Sequence, residues 1–214
     1  MIDRAMWIAD LLCGTACAIL MIMISLAIPE GGRHMYEINT GLFCALFCLL
    51  PALFYHLHIM RLPLWVVALI EFAIFMHAYG VLLLQYDLLI YYDTVTHTLS
   101  SMVITVCIYL TLMCVHHYCA DTRFSMTWTL LLVFVIMMTF GGIWEAFEYV
   151  VDNLSGTMMQ YSPFDTVRDM LANAMGSVLG STIAYIFQRH HDFDDTVESF
   201  QLHPRLIRVL KGRQ

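Results

Sequence analysis

Six mostly apolar runs divide the chain, at roughly 5–28, 38–58, 63–85, 94–117, 126–151 and 164–188. A helix of about 20 such residues crosses the roughly 30 Å hydrocarbon core of a bilayer. The connections are short and carry turn-forming residues: Pro29-Glu30-Gly31-Gly32-Arg33, Arg61-Leu62-Pro63 and Ser162-Pro163. The pattern predicts an all-α, polytopic membrane protein. Residues 1–188 form a six-transmembrane-helix bundle, and residues 189–214 form a polar cytoplasmic or interfacial tail. The first run lacks a basic leader and a small-residue cleavage site, so it is read as a helix of the mature protein.

Composition agrees. The 214 residues are 60% hydrophobic and 13% charged, where soluble domains have about 45–50% and about 25%. The formal charge of −7 excludes a nucleic-acid binder, because phosphate contacts need clustered Lys and Arg. Seven cysteines include no CxxC pair and read as small hydrophobes in apolar helices. The sixteen methionines read as packing rather than soft-metal ligands.

Charge placement sets the expected orientation. With six spans, the N-terminus, the second and fourth connections and the tail share one face. That face carries Arg4, Arg61, Arg123, Arg189, Arg205, Arg208, Lys211 and Arg213, whereas the other carries Arg33 and Arg168. The positive-inside rule then places both termini in the cytoplasm. The expected location is a prokaryotic plasma (inner) membrane.

This orientation gathers polar residues from three spans at the extracytoplasmic leaflet. Asp93 and His97 are spaced i, i+4, Glu145 and Glu148 are spaced i, i+3, and Asp165, Asp169 and Asn173 form an i, i+4, i+8 stripe; Asp152 lies nearby. Ionisable residues in a membrane usually serve a function. Crowded carboxylates in low dielectric need a cation, a proton or an Arg, and only Arg168 and Arg33 are fixed positive charges nearby. The expected metal ligands are Asp93, His97, Glu145, Glu148, Asp165 and Asp169. Oxygen donors suit Mg²⁺, Mn²⁺ or Ca²⁺, and one His also admits Zn²⁺ or Fe²⁺. Glu145, Glu148 and His97 are the candidate catalytic groups, with Arg168 and Asn173 as substrate-binding residues.

Simpler roles exist for some of these. Ser162-Pro163-Phe164-Asp165 reads equally as a helix start in which Ser162 caps and Asp165 meets the positive dipole end. Asp93 can cap its own helix. Neither role accounts for Glu145 and Glu148, which lie deep and at the negative helix end. Tyr91, Tyr92, Trp144 and Tyr149 read as interface anchors, and Ala172, Gly176 and Gly180 as a helix-packing face. Glu71 and His77 read as structural. His56, His58, His116, His117, His190 and His191 read as solvated. No HExxH, GxSxG or P-loop motif is present.

Taken together, Tyr92-Asp93-x3-His97, Trp144-Glu145-x2-Glu148 and Asp165-Thr166-x2-Asp169-x3-Asn173-x2-Gly176 resemble the YjdF-like family of small multi-pass inner-membrane proteins. More distantly the pattern resembles VanZ-like proteins, in which Gln is common where this chain has Glu148. The resemblance covers residues 92–181 and implies a polytopic helical membrane protein. The VanZ-like likeness implies a link to glycopeptide (teicoplanin) resistance. From the residues themselves, the leading expectation is a metal-dependent hydrolase or transferase acting on lipid headgroups. The alternative is a non-catalytic protein that binds lipid, glycolipid or another amphiphile. A proton-coupled transporter using Glu71, Glu145 and Glu148 is a third reading. Membrane lipids are the expected partners in each.

Overall fold

The computed structural model describes residues 4–27, 35–119, 122, 124–160 and 162–211. Those residues form helices and no strand. Six stretches are long and apolar enough to cross a membrane, as the hydrophobic runs predict. They are α1 (Arg4–Ala27), α2 (Met35–Phe47) continued by α3 (Leu50–His56), α4 (Leu64–Leu82), α6 (Tyr92–Tyr118), α7 (Met126–Ser155) and α8 (Pro163–His190), with the short α5 (Gln85–Leu88) between α4 and α6. The break between α2 and α3 has a direct cause. Pro51 has no N–H to donate to the carbonyl of Phe47, where α2 ends.

The largest departure from the predicted spans is at α7, which continues past 151 to Ser155. Gly156, at φ +65°, closes it and donates its N–H to the carbonyl of Asp152 at 3.0 Å. Asp152 and Asn153 look like a boundary in sequence, yet they still lie in the helix.

The chain divides into two compact units, one running to Tyr92 and resuming at Glu198, the other spanning Asp93–Val197. In the first unit α1, α2 and α4 pack on one another. Leu20, Cys44, Ala45, Cys48 and Ala78 form one core cluster, and Met6, Ala9, Cys13 and Val67 another. Large apolar side chains such as Trp7, Leu11, Leu26, Phe43 and Leu46 face outward, which suits a hydrocarbon surrounding and not water. Tyr92 is buried rather than an interface anchor. Its hydroxyl donates to the carbonyl of Met76 at 2.5 Å.

The polar tail is folded as far as Lys211, where the described residues end. It contains α9 (Phe193–Ser199) and α10 (Pro204–Lys211). Val197 and Phe200 are fully buried. His117, read as solvated, instead pairs with Asp194 at 2.8 Å.

In the second unit α6, α7 and α8 carry the polar residues. The small face of α8 lets it approach α6 closely. A Cβ on Gly176 would come within 2.9 Å of Ser101 Cβ, and one on Gly180 within 2.6 Å of the Met102 carbonyl oxygen. Gly142 of α7 has nothing within 4 Å of the same position. Gly180→Ala is therefore expected to lower thermal stability by about 1–3 kcal/mol through overpacking. Gly142→Ala is expected to be neutral or stabilising by up to about 1 kcal/mol, because Ala favours the helix. Paired thermal melts in one detergent check both signs.

Candidate functional site

The start of α6, the end of α7 and the start of α8 bring their ionisable residues together within the second unit. His97 and Asp169 lie five and six residues inside α6 and α8, so about 8 and 9 Å below those ends at about 1.5 Å per residue. Glu148 and Glu145 lie seven and ten residues from the end of α7, or about 10 and 15 Å in. Glu145 is thus deeper than an end at 151 implies.

Of the six expected ligands, three meet at one point. A ligand atom from each of Asp93, His97 and Asp169 lies within 4.8 Å of the other two. His97 Nε2 is 3.4 Å from Asp93 Oδ1, and Nδ1 is 3.3 Å from Asn173 Oδ1. The same Asn173 oxygen accepts from the Ser101 hydroxyl at 2.6 Å. Asn173 therefore acts first on His97. With its Nδ1–H directed to the Asn173 carbonyl, the ring turns Nε2 toward the Asp93 carboxylate. Two lone pairs cannot rest against each other there, so a proton or a cation must lie between them. A ring N–H held by a carbonyl while the other nitrogen faces carboxylates is the arrangement that orients a metal-binding histidine.

Arg168 is shared among three acids. Its guanidinium pairs with Asp165, lies 3.4 Å from Asp93 Oδ2 and places Nε 3.8 Å from Asp169 Oδ1. Ser162 does occupy the N-cap position of α8, but its side chain makes no cap hydrogen bond. Pro163 and Asp165 stand in the first turn as the helix-start reading has it, and the buried Asp165 carboxylate in addition pairs with Arg168. The Arg168 side chain is 39% exposed, so one flank remains open. Arg33, the other cation expected here, lies outside the described residues.

The two glutamates differ. Glu148 accepts from the Trp144 indole N–H at 2.7 Å, so Trp144 holds a site acid rather than only marking an interface. Glu145 is 5% exposed and neither of its oxygens makes a hydrogen bond; the Thr166 hydroxyl lies beside it without completing one. The Gln160 side-chain amide donates to the Glu145 carbonyl at 3.2 Å and to the Thr166 hydroxyl at 3.0 Å. Asp152 does not join the cluster. Its oxygens accept from the Thr157 hydroxyl and from the N–H groups of Met159 and Gln160 at 2.7–2.9 Å, which fixes the turn between α7 and α8. Ser101, Gln160 and the role of Trp144 are absent from the sequence expectations. Ser101 and Trp144 were findable, each four residues along a helix from a site residue; Gln160 carries no such signal.

A family model described as a predicted membrane protein (DUF2238) matches residues 10–190. The chain belongs to the DUF2238 family. No curated protein and no solved structure matches it. The YjdF-like resemblance is to this same family, while the VanZ-like likeness finds no support. DUF2238 membership and six spanning-length helices make the chain an integral membrane protein. The match to the DUF2238 model runs from within α1 to the last residue of α8, so it includes every residue of the cluster.

Proposed function

We propose that this DUF2238 protein binds a divalent cation through Asp93, His97 and Asp169, and uses it on a phosphate-bearing lipid headgroup by hydrolysis or group transfer. The observation that carries the reading is the meeting of those three ligand atoms beside the buried, unpartnered carboxylate of Glu145. Among the described residues, five carboxylates (Asp93, Glu145, Glu148, Asp165 and Asp169) share this end of the unit with one guanidinium. Two like charges 4 Å apart repel by about 4 kcal/mol at an effective dielectric of about 20, so Arg168 alone does not balance the group. The imidazole among the donors favours Mn²⁺ or Zn²⁺ over Mg²⁺ or Ca²⁺.

Such a cation would polarise a phosphoryl oxygen or an attacking water. Glu145 would take the proton of the attacking water or alcohol as its oxygen bonds to phosphorus, and the P–O bond opposite would break, its oxygen leaving as an alcohol that regains a proton from Glu145 or water. Asn173, itself held by the Ser101 hydroxyl, orients the His97 ring. The open flank of Arg168 meets the phosphate. Leu154, Met158 and Phe164 are exposed at the same helix ends and offer an apolar border for acyl chains.

Elemental analysis of protein purified without chelators tests this reading. About one equivalent of Mn or Zn per chain is expected from a single three-ligand site, and Glu145→Gln retains it. A metal-free protein with lipid bound at the cluster supports non-catalytic binding instead, a reading favoured by the three acids that already engage Arg168. The proton-carrying reading has no comparable support, since Glu71 belongs to the other unit, buried beside the thiols of Cys13 and Cys48. A second prediction concerns stability. Glu145→Met replaces an unpartnered buried acid with an apolar side chain of similar volume. It is expected to stabilise the chelated protein by about 1–3 kcal/mol, seen as a higher melting temperature in detergent.

A further inference from the structure

A separate feature lies in the first unit, in the tail. Helix α10 is sharply two-sided. Leu206, Val209 and Leu210 follow one another around one face with Ile207 at its edge, and Arg205, Arg208 and Lys211 occupy the opposite face. None of its residues is buried. Leu206 is exposed and Val209 is 77% exposed. Among the described residues none of the three cations forms an ion pair. A water-exposed helix of eight residues is marginal by itself, so both faces of α10 want a partner.

The position of α10 names that partner. The segment just before it is tied to the connection between two membrane spans: Phe200 O accepts from Arg61 N–H at 2.6 Å, and His203 N–H donates to Ile59 O at 2.9 Å. That connection follows the end of α3 at His56, and α4 enters its span at Leu64. Residues 59–61 therefore sit at the edge of the bilayer. Helix α10 starts one residue beyond the second of these hydrogen bonds. An amphipathic helix held there has lipid headgroups beside it. Its three cations match anionic phosphates, and its open Leu206 and Val209 match the acyl boundary beneath.

We propose that α10 is an interfacial helix that docks on anionic lipid headgroups of the protein's own bilayer, with Leu206 and Val209 inserted and Arg205, Arg208 and Lys211 at the phosphates. This site is independent of the acidic cluster, which lies in the other unit.

The test uses the full-length protein in lipid nanodiscs. One set contains phosphatidylcholine alone, and the other contains about one-third phosphatidylglycerol. Backbone amide exchange of residues 204–211 is followed by mass spectrometry. Docking predicts that exchange slows by about ten-fold or more in the anionic discs, and that added salt reverses much of the slowing. The triple variant Arg205→Gln, Arg208→Gln, Lys211→Gln is expected to lose the dependence on lipid charge. The double variant Leu206→Ser, Val209→Ser is expected to exchange fast in both lipids. Unchanged exchange in α4 shows that each variant is folded. Equal protection of the wild type in both lipids overturns the proposal. So does protection that depends on the number of copies per disc and not on lipid charge, which would assign α10 to a contact between copies of the chain.

Discussion

Arg168→Gln is expected to cost about 3–5 kcal/mol of stability, the range seen when one partner of a buried ion pair is removed. The guanidinium is partly exposed, but its partners are not: Asp165 and Asp169 are at most 3% exposed. Removing Arg168 leaves Asp93, Asp165 and Asp169 facing one another with no fixed positive charge among the described residues. The double variant Arg168→Gln, Asp165→Asn is expected to recover part of the loss, because it removes one of the stranded charges. A double-mutant cycle read by thermal unfolding in detergent measures that recovery. If Arg168 serves only to capture substrate, the single variant melts with the wild type and the cycle shows no coupling.

The second large effect is on the proposed cation. Asp169→Asn keeps the side-chain shape and removes one of the three ligands that converge among the described residues. Loss of a supporting residue alone typically weakens a metal site by about 10–100-fold, so loss of a direct ligand is expected to exceed about 100-fold. Asn173→Ala, which frees the His97 ring while leaving all three ligands, is expected to fall within that smaller range. Isothermal titration of the chelated protein with Mn²⁺ or Zn²⁺ orders the three proteins. Equal affinity in wild type and Asp169→Asn would remove Asp169 from the ligand set.

The spans were legible in the sequence because a bilayer demands long apolar runs. The end of α7 was not, since Asp152 and Asn153 look like loop residues although they complete a helix closed by Gly156. Glu145 and Glu148 stand out in the sequence because they lie too deep to be helix caps. Their different surroundings were hidden. Side-chain spacing shows which residues share a face of one helix, yet it does not show which atoms meet across three helices. Asp152 turned toward backbone N–H groups, and backbone targets leave no mark in a sequence. The pairing of Asp165 with Arg168 and the place of Asp169 between that guanidinium and the His97 ring are likewise contacts that spacing along one helix does not reveal.

The turn fastened by Asp152 has a mechanical consequence. It holds the start of the connection to α8 through three hydrogen bonds, and α7 and α8 pack on one another, so the pair is expected to move as a hairpin. A change in bilayer thickness is absorbed mainly by tilt of such an element. The separation between Glu145 and Asp169 is therefore expected to change little between short-chain and long-chain membranes.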